Sequence, residues 1–242
     1  MGRIGVARMR THVAFACLWA LGGAAGPAAA MPVGPLPGLR VPQVHVNGGT
    51  LLGYLNGVGE NIDVQADQRD VELLRGPSTN TTYTLQFEFA GPPGNTVGIY
   101  NGHAVPGTLM PLFPTTATSS WFAVASWRSS PARVVINVFD ASAALVGSTT
   151  FLGADRNAVG FCLTTPHATY FSQDALNPGG RPRALFYAGT GINSGSMWMT
   201  WEDGDAPADD DFDDCVVFME GVFSGIVPVQ RATWGELKSR FR

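Results

Sequence analysis

Between Glu202 and Asp214 the chain carries eight of its nineteen acidic residues: Glu202, Asp203, Asp205, Asp209, Asp210, Asp211, Asp213 and Asp214. Two unit charges about 4 Å apart repel by roughly 1 kcal/mol in water and roughly 4 kcal/mol near a protein surface. Such a run either splays into solvent as a plain acidic turn or is gathered by a hard cation. Asp209, Asp211 and Asp213 alternate with other residues and Asp214 follows at once, so their oxygens can converge. Calcium accepts roughly six to eight oxygen ligands in flexible geometry, whereas magnesium holds a stricter octahedron with fewer carboxylates. Zinc prefers imidazole or thiolate, and none of the four histidines lies in the run. Ca2+ is therefore the expected ion. Asp209, Asp211, Asp213 and Asp214 are its first candidate ligands and Glu202 and Asp203 the next, while Asp205 and Asp210 are expected to face solvent.

An EF-hand is the obvious comparison, and it fails. Asp209, Asp211 and Asp213 fit its first three ligand positions and Glu220 its last. Asp214, however, stands where the sharp turn needs glycine. The following Cys215-Val216-Val217-Phe218-Met219 reads as a strand, and extension would carry Glu220 roughly 20 Å from Asp214. A cation site between two strands is the better expectation.

The elements that must hold the loop are strands. Tyr83–Phe89 alternates, with Leu85, Phe87 and Phe89 on one face. Thr96–Tyr100, Trp121–Trp127 (apolar on both faces), Arg133–Phe139 (Val134, Ile136 and Val138 inward), Ala158–Leu163, Arg183–Ala188, Ser196–Trp201 and Cys215–Met219 also read as strands. Thirty glycines and seventeen prolines supply turns, and long amphipathic helical patterns are absent. The pattern predicts an all-β, antiparallel, jelly-roll-like β-sandwich over residues 48–224, its acidic loop at 202–214. Residues 31–47 read as an extended, proline-rich lead-in. In the tail, 225–242, Thr233 and Glu236 have capping-box spacing, and Trp234, Leu237 and Phe241 follow at helical spacing. A short C-terminal helix is expected there, serving either as a docking or sorting tail or, the favoured reading, as a frayed end whose aromatics rest on the sandwich.

The chain's beginning bears on its compartment. Arg3, Arg8 and Arg10 precede an apolar run, Val13–Ala25, and Ala28-Ala29-Ala30 offers small residues for cleavage before Met31. Residues 1–30 thus read as a signal peptide, and the protein is expected to be secreted or at the cell surface. No other stretch approaches the ~18 apolar residues of a membrane span. The signal holds three of the fifteen basic residues, which leaves twelve against nineteen acidic ones, a formal charge of −7. That balance argues against nucleic acid as a partner. Cys17 leaves with the signal. Cys162 and Cys215 remain, and a pair in an exported chain points to a disulfide, with two separate buried thiols as the alternative.

With these residues in place, the chain resembles the bacterial family domain of unknown function 4114, found in exported proteins with or without a PEP-CTERM sorting tail. Trp201-Glu202-Asp203 matches the family's F-E-D segment. Asp209-Asp210-Asp211-Phe212-Asp213-Asp214-Cys215-Val216-Val217 matches its D-x-D-Y-N-D and following apolar strand, with Asp213 for Asn and Phe212 for Tyr. Gly59–Gln68 is similar to the family's opening, Val97–Asn101 to its G-I-Y segment, Val159–Leu163 to F-G-F-Y-L, and Tyr170–Asn177 to the segment after it. The likeness spans about Gly48 to Phe223, and only the acidic motif is specific. It implies an exported, calcium-binding β-sandwich without established activity. It also places Cys162 and Cys215 on two strands of one half, where they are expected to face each other in a disulfide. The Pro-Glu-Pro motif, apolar helix and arginine cluster of the sorting tail are not present, so that route is not expected.

Three functions compete. The first is a non-enzymatic, calcium-stabilised surface or matrix module used in adhesion or assembly, with an extracellular protein or glycan as partner. The second is a calcium-dependent carbohydrate-binding module, with Trp121, Trp127, Trp198 or Trp201 stacking on sugar and Trp198 the best exposed candidate. A glycoside hydrolase needs two carboxylates facing each other across a cleft. Only Glu88, outside the loop, offers a partner, and no nucleophile elbow, P-loop or His-Glu-x-x-His motif accompanies it. An enzyme is therefore not expected.

Overall fold

A computed structural model describes residues 38–76, 80–88, 94–102, 106–204 and 209–224. The expected signal peptide, the tail 225–242, His103, Asp205 and the side chain of Glu88 lie outside the described residues.

Among the described residues the chain forms one short α-helix, α1 (Thr50–Gly57), and two antiparallel sheets. In chain order the strands are β1 (Leu74–Arg75), β2 (Asn80–Glu88), β3 (Thr96–Asn101), β4 (Met110–Pro111), β5 (Phe122–Ser129), β6 (Ala132–Phe139) and β7 (Leu145–Leu152). There follow β8 (Val159–Thr164), β9 (Thr169–Phe171), β10 (Ala184–Ala188), β11 (Met197–Trp201), β12 (Cys215–Glu220) and β13 (Phe223–Ser224). One sheet is ordered β13-β1-β8-β3-β4 with β9 also on β8; the other runs β10-β11-β12-β2-β5-β6-β7. The expected all-β sandwich is what the chain adopts.

Alternation explains the core. Tyr83, Leu85, Ala123, Ala125, Trp127, Val134 and Ile136 from the larger sheet meet Val97, Ile99, Phe161 and Leu163 from the smaller one. In these strands every second side chain enters this space. Between β12 and β2 the register shifts at Val216/Val217, one residue of β2 being unmatched there.

A second apolar cluster lies on the outer face of the larger sheet. Leu185, Tyr187, Trp198 and Val216 face outward and are covered by Val46, Leu51, Leu55, Ile62 and Val64. Every residue of β10 and β11 is buried. Leu51 and Leu55, four residues apart, put the apolar side of α1 onto this face. A helix of eight residues is marginal by itself, so packing holds it.

The described part of the lead-in, residues 38–47, belongs to this layer, and its first residues, 31–37, lie outside the described residues. The Val44 amide donates to Gln68 Oε1 at 2.8 Å, and Gln65 Nε2 and Gln68 Nε2 each donate to Val44 O at 2.7 Å. Two side-chain amides thus serve the extended segment in place of a neighbouring strand.

The expected disulfide is not formed. Cys162 and Cys215 are both buried thiols with no bond between them. Cys215 enters the core between the sheets. Cys162 alternates with Phe161 and Leu163, which fill that core, and so points to the other side of its own sheet. There its sulfur packs against Gly98, and burial pushes its thiol up to about 12. The two cysteines lie in different sheets, and the parity of β8 turns Cys162 away from the core that Cys215 enters. The same outer face explains Gly160: a Cβ there would stand 2.2 Å from the Tyr100 ring. That ring is held by Phe171 edge-on at 5.4 Å and by a 3.0 Å bond from its hydroxyl to Gln173 Oε1.

Candidate metal centre

The acidic loop joins two neighbouring antiparallel strands. Trp201 ends β11 directly opposite Cys215, which begins β12. Met197, Met199 and Trp201 face the core; Trp198, Thr200 and then Glu202 take the opposite parity, under the helical layer. The Glu202 amide donates to Arg183 O at 3.0 Å and extends the β10–β11 ladder by one residue. Across the base of the loop, the Asp203 amide donates to Asp214 Oδ2 at 2.7 Å.

At the tip the backbone is tightly folded. Asp210 and Phe212 have positive φ values, 56° and 57°. This turn drives Phe212, 1% exposed, into the outer apolar cluster beside α1. The lead-in clasps the other side: the Asn47 amide donates to Asp210 O at 2.9 Å and its Nδ2 to Asp209 O at 2.5 Å. At the first turn of α1, the Thr50 hydroxyl bonds to the Asp213 carboxyl.

Within this frame the six carboxylates singled out as ligands are brought together. Glu202, Asp209 and Asp211 offer oxygens all within 4.8 Å of one another; so do Glu202, Asp203 and Asp214, and so do Asp211, Asp213 and Asp214. Glu202 ranked below the aspartates in the sequence, yet it belongs to two of these groups and is only 1% exposed. Its Oε2 is buried without a hydrogen-bond partner. Asp210, expected as a solvent-facing spare, belongs to none of these groups, and its side chain is 37% exposed. Its carboxylate meets Arg181 Nη2 at 3.2 and 3.4 Å, and its carbonyl takes the Asn47 bond.

The electrostatics are those of crowded anions. Burial, then the charges of Asp203, Glu202 and Asp211, push Asp214 up to about 7 against the opposing bond from the Asp203 amide. Burial and the adjacent Asp211 raise Asp213 to about 6. Glu202 is raised by burial and by the charge of Asp209, while the amides of Phe212 and Gly204 oppose the shift. One cation leans in: Arg183 Nη1 lies 4.0 Å from Glu202 Oε1, and its guanidinium stands over the Tyr170 ring at 5.0 Å. Gly204 makes room for it, since a Cβ there would fall 2.5 Å from the guanidinium. Arg181, Arg183, Asn47 and Thr50 were not legible as parts of the site. Arg183 carried the one available signal, a charged residue at the head of an apolar strand that pairs with the strand entering the loop.

A buried, unpartnered carboxylate oxygen within a set of hard oxygen donors fits a hard divalent cation. The aromatic platform expected for a sugar is not formed by Trp198. That residue is 3% exposed and donates from Nε1 to Glu60 Oε1 at 2.8 Å. Its strand is covered on both faces, which two-layer reasoning did not anticipate. Trp127 and Trp201 are buried and Trp121 half-buried.

The polar residues of Gly59–Gln68 are engaged in structure. Glu60 accepts from Thr190 N and Oγ1, both at 2.6 Å, from Asn193 Nδ2 at 2.7 Å and from Trp198. Asp63 Oδ1 accepts the Gln65 and Ala66 amides, each at 2.9 Å, in a local turn.

No protein-family model, curated protein or solved structure matches the chain. The likeness to domain of unknown function 4114 rests on the motif residues themselves. Among the described residues, no helix is long and apolar enough to cross a membrane.

Proposed function

We propose that this protein is an exported, non-enzymatic β-sandwich, stabilised by calcium, that serves as a cell-surface or extracellular-matrix module in adhesion or assembly. The observation that carries the calcium reading is Glu202: a buried carboxylate with an unpartnered oxygen, shared by two groups of convergent carboxylates. Leaving such a group unsatisfied is costly, and a divalent cation satisfies it and relieves the repulsion around it.

In this reading the ion is structural. It closes the β11–β12 loop, and through Phe212, Asn47 and Thr50 it fixes the helical layer against the sheet. The chain then presents a rigid scaffold wherever calcium is plentiful and a looser one where it is not. Export follows from the signal-like residues 1–30, and the surface role from the likeness to domain of unknown function 4114. Equilibrium dialysis with radioactive calcium tests the ion: retention is expected at millimolar calcium and pH 7.5, even with excess magnesium. Absence of retention would remove the basis of the proposal. The surface role is tested by expressing a fluorescent fusion, which should be recovered on the cell exterior and in the matrix. Recovery in the cytoplasm alone would rule that role out.

A further inference from the structure

The six carboxylates do not converge on one point. They fall into three groups of three, each within 4.8 Å, and any two groups share one residue: Glu202, Asp211 or Asp214. Calcium binds oxygen at about 2.3–2.6 Å, so two oxygens on one ion stand at most about 5 Å apart. Each group is the size of one ion's coordination shell, and the set as a whole extends over more than one. Resting on the calcium reading, we infer that the loop holds two divalent cations bridged by Glu202, with Asp209 and Asp211 completing one position and Asp203 and Asp214 the other.

Glu202 is built for a bridge. Its carboxylate belongs to both groups, is 1% exposed, and keeps Oε2 without a hydrogen-bond partner. Arg183 approaches Oε1 no closer than 4.0 Å, so neither oxygen is closely ion-paired. Asp213 stands between the two positions, grouped with Asp211 from one and Asp214 from the other, and is placed as a second bridge.

Charge points the same way. Six carboxylates against Arg183 leave a local charge of −5; one divalent ion brings it to −3 and two bring it to −1. Asp210 is set aside by its pairing with Arg181. A single ion would leave one group of crowded carboxylates facing each other without a counter-charge.

Native mass spectrometry of the purified protein, titrated with calcium chloride, counts the ions directly. Two calcium ions per chain are expected. One should remain in the D209N/D211N variant and one in D203N/D214N, and E202Q should lose at least about tenfold in affinity at both positions, no less than removal of an outer-shell partner costs a metal site. These changes remove repulsion, so unfolding in EDTA should show each variant at least as stable as the parent, which separates lost binding from lost fold. One ion in the parent, abolished by either pair of substitutions, would overturn the two-ion inference and leave the calcium reading intact. Two ions in every variant would overturn the assigned positions. No calcium in the parent would overturn both the inference and the reading beneath it.

Discussion

Two carboxylates show how differently one residue type can be used along a single strand. Near the start of β11, Trp198 meets Glu60, which accepts four hydrogen bonds. Burial alone would push its pKa up, but the bonds from Thr190, Asn193 and Trp198 together hold it below the usual range. A lowered carboxylate contributes stability above its unfolded pKa, lost as pH falls through the folded value. Removing it in E60A strands those donors and should cost about 3 kcal/mol in urea unfolding, the scale of an unmade buried bond to a charged group. At the strand's other end Glu202 keeps an unpartnered oxygen, and Asp213 and Asp214 are raised to about 6 and about 7. For a raised carboxylate the sign reverses. Without calcium, these aspartates stabilise the fold fully below their unfolded pKa near 4, and that stability is lost as pH climbs toward 7. Calcium must displace their protons, so its affinity should fall on acidification from pH 7.5 to 5.5. Calorimetric titrations at the two values check this, and equal affinities would contradict it.

The loop's shape depends on the elements around it. Phe212 is the hook: its positive φ turns the ring into the cluster formed by α1, Val46 and Val216. Phe212→Ala should cost roughly 3–5 kcal/mol, the range for deleting a buried aromatic. It should also weaken calcium binding, because the carboxylates on either side lose their anchor. Unfolding in EDTA and a calcium titration measure the two effects separately. Much of this scale was readable beforehand. β2, β3, β5, β6, β8, β10, β11 and β12 fall on the apolar runs expected as strands, and the loop sits between the two strands expected to flank it. Others left weak traces. β7 is exposed along most of its length, so it offers no buried alternation to find. α1 carries only Leu51 and Leu55 as its buried signal. The clue to the third layer was present in Ala184–Ala188 and Met197–Trp201: both runs are apolar at both parities, and a strand buried on both faces needs a cover. Once that cover is in place, Trp198 cannot be a surface platform.

At the level of the whole molecule, the fold stands on two apolar interfaces and a polar clasp, with no covalent tie between its cysteines. Denaturation without reductant, followed by alkylation, should label both Cys162 and Cys215, and reductant should leave the melting temperature unchanged. The resemblance implied that those two cysteines face each other, but it could not resolve which side of each sheet they take, because a one-residue difference in parity reverses the answer. The convergence of the six carboxylates was legible because they lie close together in sequence between two paired strands. Their order of importance was not, because burial ranks Glu202 first and burial is a property of the third layer. The central claim is that this clasp is closed by calcium. Scanning calorimetry of the purified protein at pH 7.5, in EDTA and then in calcium at about a hundredfold excess over its dissociation constant, tests it most directly. Binding at that level adds about 2.7 kcal/mol to a folded protein, a rise in melting temperature of roughly 5–10 °C for a domain this size. That rise is expected in the parent, and a rise no more than about half as large in E202Q; an identical melting temperature of the parent with and without millimolar calcium would overturn the calcium reading.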